Sequence, residues 1–186
     1  MSEEERHRWN ARYESREGRK EPSRFLREQE PLLPSEGRAL DVAGGAGAEA
    51  EWLARRGLEV TLVDLSDVAL EKAERAGREA GVKLRVQRVD VETERLPPGP
   101  FEVVVCLNFL WRPLFAEFPR VLAPGGLLIY AQPTRSNLER NAHPSSRFLL
   151  EDGELPGLLR GVEIVSYTEG WTEEGRHEAR LVARRR

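Results

Sequence analysis

Three aspartates and a knot of glycines are the residues of this chain best suited to chemistry. Asp41 closes the apolar stretch RALDV, and Ala43, Gly44, Gly45, Ala46 and Gly47 follow at once. Asp64 closes a second apolar run, LEVTLVD, and Asp90 ends an alternating one, VQRVD. Glycines let a backbone approach a ligand closely, and a helix starting there points its first N–H groups at that ligand. An ionised carboxylate accepts two hydrogen bonds at once, which suits the vicinal hydroxyls of a ribose. The run GAGAEA from Gly45 to Ala50 matches the dinucleotide fingerprint G-x-G-x-x-[G/A], with Asp64 as the ribose acid. The same residues also suit a loop for a single nucleoside. A tight turn with no ligand is the plain alternative, and acids at both strand ends weigh against it.

The bulk composition bounds what can hold these residues. Of 186 residues, 39% are hydrophobic and 33% charged, a globular balance with enough chain for one domain and a sizeable core. No apolar run approaches the roughly 20 residues of a membrane span, and the polar first twenty residues do not read as a signal peptide. The expected location is therefore the cytoplasm. The one cysteine, Cys106, cannot form an internal disulfide, and with three histidines a Cys/His zinc site is not expected, so no metal is assigned. A net charge of −3 offers no field for nucleic acid. Neither nucleic acid nor a membrane is expected as a partner.

The charged segment 3–30 reads as helix, and residues 1–34 together as a helical cap. Strands are expected at 38–42, 58–63, 83–89, 101–107 and 127–131, with helices at 47–56, 66–80 and 113–122 between them. Phe101–Leu107 is nearly all apolar, as a strand covered on both faces should be. A loop over 132–147 and a short helix at 151–159 follow. Two alternating runs, 162–171 and 176–184, are separated by TEEG and read as an antiparallel hairpin. The pattern predicts an α/β fold: a three-layer, Rossmann-like sandwich whose seven-stranded sheet is mostly parallel, with the last strand antiparallel. Residues 35–131 form the ligand-binding half and 132–186 a substrate loop plus the terminal hairpin, all within a single domain 1–186.

Taken together, LDVAGGAGAEAEWLARRGLEVTLVDLS, VDVE, FEVVVCLNFL and RVLAPGGLLIY resemble class I S-adenosylmethionine (AdoMet)-dependent methyltransferases in order and spacing. The front end RWNARYESREG and the later HPSSRFLLEDGEL resemble the small TehB-like, tellurite-resistance and thiopurine-methyltransferase-like branch. The resemblance implies AdoMet as cofactor and S-adenosylhomocysteine as product. It implies that Asp41 and the loop Ala43, Gly44, Gly45 and Gly47 hold the methionine end. Asp64 and Leu65 would serve the ribose, Asp90 and Val91 the adenine, and Leu107 and Asn108 the side beside the methyl donor. Ala43 departs from the family, which usually has glycine there; its methyl group is tolerable if φ is negative. Pro119 also departs, and near the start of a helix it costs little.

Displacement at a sulfonium needs mainly proximity and orientation, so no catalytic signature is required. His143, in the loop after the fifth strand, is the candidate base; a solvent-exposed loop histidine is the alternative. Cys106 reads as a core thiol. Trp9 and Tyr13, four apart on a helix, read as a lid or as packing, and Trp111 as a pocket wall or as packing. The tail Arg184–Arg186 reads as solvated. The expected acceptor is a small molecule, and the protein a monomer or homodimer. The rival classes are a nicotinamide-dependent oxidoreductase and a non-catalytic AdoMet-binding protein. With lysine only at 20, 72 and 83, the Tyr-x-x-x-Lys pair of many such oxidoreductases is absent.

Overall fold

The structure, a computed structural model, describes residues 3–16, 18 and 20–186. Met1, Ser2, Glu17 and Arg19 of the expected cap lie outside the described residues. The strands are β1 (Arg38–Val42), β2 (Glu59–Asp64), β3 (Leu84–Arg88), β4 (Phe101–Leu107), β5 (Leu122–Pro133), β6 (Val162–Trp171) and β7 (His177–Arg185). They form one sheet in the order β3-β2-β1-β4-β5-β7-β6. β1 to β5 pair in parallel, and β7 runs antiparallel to both β5 and β6. β7 alone therefore points the other way, as the sequence predicts for the last strand. The strand order reverses between β1 and β4, the point in an open α/β sheet where ligands bind beyond the strand ends.

Alternation along the strands sends successive side chains to opposite faces. Leu40, Val42, Val104, Cys106, Leu128 and Tyr130 build one core cluster; Ala39, Val103, Val105, Leu127 and Ile129 build the other. The second cluster is covered by α3 (Ala48–Ala54) and α4 (Asp67–Glu79). Helix α4 forms because its apolar residues recur on one side, with Ala69, Leu70, Ala73 and Gly77 buried. Ser66 caps it, its Oγ accepting the Ala69 N–H at 3.1 Å. Cys106 is fully buried in β4, a core thiol whose pKa burial pushes up.

Three elements differ from expectation. The segment 3–30 is two helices, α1 (Glu3–Glu14) and α2 (Arg24–Glu28), with Gly18 at φ +86° and Pro22 in the break. The helix expected over 113–122 is a 3₁₀ turn, Arg112–Ala116, then four residues of α5 (Phe118–Val121). Pro119 lies in the first turn of α5, where its missing N–H costs little. The APGG run does not stop a helix but belongs to β5, which begins at Leu122 opposite Phe101. Arg184 and Arg185 hold that start by donating to the Gly125 and Leu122 carbonyls, so this tail is docked. Last, the helix expected over 151–159 shrinks to α6 (Leu155–Leu158), since Gly153 is left-handed at φ +77°.

Candidate active site

A cavity of about 1200 Å³ opens at the carboxyl ends of the parallel strands. Its floor is the loop from β1 to α3. Ala43, Gly45 and Gly47 have φ of +54°, +57° and +85°. At Ala43 the condition of a negative φ is not met: its methyl group is carried in the left-handed region, at a cost of about 1–2 kcal/mol. A Cβ on Gly44 would lie 2.5 Å from Asp41 Oδ2, and one on Gly47 2.8 Å from the Ala73 methyl. Only a bare backbone fits between β1, α4 and the cavity.

The aspartates differ in how they are held. Asp41 is buried, and its Oδ2 has no hydrogen-bond partner among the described residues. Burial, with Glu49 and Asp64 nearby, pushes its carboxyl well above the usual range. Asp64 is also buried, but its oxygens accept the Gly45 N–H and the Ser66 N–H, both at 2.9 Å. Desolvation still raises its pKa, against those bonds. Asp90 stands apart. Val89, Val91 and Glu92 line the cavity, whereas Asp90 does not; its Oδ1 accepts the Glu92 N–H at 3.1 Å and closes a turn. Sequence position places it at a strand tip, and one carboxylate oxygen closes that turn.

Helix α1 forms the roof. Trp9 and Tyr13 both line the cavity. The Tyr13 hydroxyl lies against the place a Cβ on Gly45 would take, and burial with Asp64 beside it raises its pKa. Polar ties hold the helix: Arg6 to Asp67 at 2.7 Å, the Ser66 hydroxyl donating to Asn10 at 2.7 Å, and Lys72 donating to the Tyr13 carbonyl.

The far wall is made by β4, β5 and the loop after β5. Leu107 and Asn108 line it, with Leu65 on the other side. Asn108 is left-handed, φ +60°, and its Oδ1 accepts from Arg176 Nη2 at 2.6 Å. His143 lines the mouth and is exposed; among the described residues its ring makes no hydrogen bond. Trp111 packs against the core instead of walling the cavity. Among the wall residues that escaped the sequence reading are Gln132 and Arg176. A polar residue closing the apolar run LLIYAQ was the available signal for the first. Arg176, one of 26 arginines, gave none.

A methyltransferase-domain family model matches residues 39–126, the stretch that carries the glycine loop and the cavity-side ends of β1, β2 and β4. Over that stretch the chain is similar to AdoMet-dependent methyltransferases. It is 29% identical over 147 residues to the ubiquinone biosynthesis O-methyltransferase of Idiomarina loihiensis, covering 76% of the chain and 53% of that protein. It thus spans about half the length of that relative. Its fold is shared with TehB from Haemophilus influenzae, at TM-score 0.75 and 16% identity over 89% of this chain and 63% of the other. An AdoMet-dependent methyltransferase from Clostridium acetobutylicum matches over 98% of both chains, at TM-score 0.70 and 16% identity. The family implies AdoMet as cofactor. Among the described residues, no helix is long and apolar enough to cross a membrane.

Proposed function

We propose that this chain binds AdoMet and methylates a small-molecule acceptor. The observation that carries the proposal is Asp41 Oδ2: a buried carboxylate oxygen without a donor among the described residues, against a glycine that admits no side chain. A buried anion of this kind calls for a cationic donor, and AdoMet brings an ammonium and a sulfonium. The cavity exceeds the roughly 300–1,000 Å³ usual for one small ligand, which leaves space for an acceptor alongside. When bound, AdoMet supplies a methyl group on a positively charged sulfur, open to in-line displacement. The chain's own part is to hold and orient. Asp41 with Ala43, Gly44, Gly45 and Gly47 receives the methionine end, Asp64 and Leu65 the ribose, and Val91 the adenine side. Asp90 supports that side through its turn. Leu107 and Asn108 face the transferred group, and the α1 roof excludes water. His143, at the mouth, is positioned to take a proton from an acceptor that needs one removed.

The proposal extends to a TehB-like chain of one domain, 1–186, monomeric or homodimeric, in the cytoplasm and without a nucleic-acid partner. Calorimetric titration tests its core. S-adenosylhomocysteine should bind in the micromolar range, about −8 kcal/mol, and NAD should not. Binding of NAD alone would overturn the proposal in favour of an oxidoreductase. Transfer of a labelled AdoMet methyl to a hydroxyl-rich acceptor panel then separates an enzyme from a protein that only binds.

A further inference from the structure

We infer that the far wall of the cavity is a preformed subsite for a small hydroxy acid, built by Gln132 and Arg176. This rests on the methyl-transfer proposal above and names the class of its acceptor.

Gln132 lines the cavity yet is only 2% exposed. Its Nε2 donates to the Phe148 carbonyl, which fixes the amide, because the reverse orientation would set two carbonyl oxygens face to face. Oε1 is thereby committed as an acceptor and has no partner among the described residues. A buried carbonyl oxygen left without a donor is a standing cost to the fold. A ligand hydroxyl that meets it removes that cost, whereas an ether or a hydrocarbon does not.

Arg176 precedes β7 at the same end of the sheet, and its guanidinium is tied to Asn108. The Glu178 carboxylate is 3.8 Å from Arg176 Nη1 and already accepts from Arg180 Nε at 2.7 Å. The two arginines address different oxygens, Arg176 facing Oε2 and Arg180 bonding Oε1, so Arg176 shares the carboxylate as a long ion pair and keeps N–H groups to spare. A guanidinium fork matches a carboxylate in two places at once. Phe109, Leu110, Pro133 and Phe148 add apolar surface to the wall. The wall therefore asks for a hydroxyl, an oxyanion and a flat apolar body between them.

The test titrates three probes into the full chain saturated with S-adenosylhomocysteine: protocatechuate, catechol, which lacks the carboxylate, and veratrate, whose hydroxyls are methylated. Protocatechuate should bind about tenfold or more tightly than either of the others. Arg176→Met should erase its advantage over catechol, and Gln132→Met its advantage over veratrate. Gln132→Met should not change S-adenosylhomocysteine affinity by more than about twofold, the scatter of independent sites. Equal affinity for all three probes, or no binding of any, overturns the subsite. Loss of discrimination that does not follow this pairing does so too. Should Gln132→Met fail to fold, the probe ranking and Arg176→Met still decide. Failure of S-adenosylhomocysteine itself to bind the unaltered chain would strike the methyl-transfer proposal instead.

Discussion

Both oxygens of Asp64 accept backbone N–H groups, from Gly45 and Ser66, so this carboxylate shapes the loop as well as facing the cavity. Asp64→Ala should weaken AdoMet binding by roughly 1–3 kcal/mol and also lower the melting temperature, because two buried donors lose their acceptor. Asp64→Asn keeps a carbonyl oxygen for one of them and should recover part of the stability while affinity stays low. Calorimetry beside thermal melting reads the two effects apart; affinity that survives Asp64→Ala would remove Asp64 from the ribose site. Ala43 offers the opposite case. Its φ of +54° is strained for any residue with a Cβ, and Ala43→Gly should stabilise the free protein by about 0.5–1 kcal/mol, despite the added freedom of the unfolded chain. A urea midpoint that fell in Ala43→Gly would mean the methyl group contributes packing that outweighs the strain.

Helix α1 covers the cavity with none of its residues fully buried, Tyr13 being half-buried. Its hold is polar: Arg6 on Asp67, Asn10 on Ser66, Lys72 on the Tyr13 carbonyl, and Arg147 on Glu5 at 3.1 Å from the acceptor side. Polar contacts of this kind, most of them half-buried, contribute only about 0.5–1.5 kcal/mol each net, so the helix should open far more readily than the sheet beneath it. Asn10→Ala combined with Lys72→Met should raise the AdoMet dissociation rate about tenfold, leave association nearly unchanged, and speed amide exchange over 3–14. An unchanged dissociation rate would mean that the ligand leaves by another route. Such an element is also the hardest to place from sequence: α1 shows no apolar stripe, so its charged helix was legible, while Trp9 and Tyr13 left its docking open between a lid and packing. The strands were legible because β4 and β5 are apolar on both faces. The α5 region was not, because its ending depends on Leu122 pairing with Phe101, a contact between residues far apart in the chain.

The reversal of strand order between β1 and β4 gathers at one edge what the chain keeps far apart: Asp41, Asp64, Asn108, Gln132 and Arg176. Aspartates at strand ends are visible in a sequence; an orphaned oxygen is not, since it depends on what every neighbour fails to supply. Asp41 turns that into a property of the whole protein. Its folded pKa is raised, chiefly by burial, so its contribution to stability is full below the unfolded value of about 4 and is lost as pH rises through the folded value. AdoMet, arriving with positive charge, favours the carboxylate and reverses that loss. Below the folded pKa binding must expel the Asp41 proton, so affinity should climb with pH by up to about tenfold per unit and level off once the free protein is ionised. The melting-temperature gain from a fixed excess of AdoMet should grow over the same interval; at a hundredfold excess over Kd the gain corresponds to about 2.7 kcal/mol. Asp41→Asn should flatten most of this pH dependence, leaving the smaller part due to Asp64, whose pKa is raised too. A pH dependence unchanged by Asp41→Asn would place the titrating group elsewhere and leave the orphaned oxygen without a role in binding.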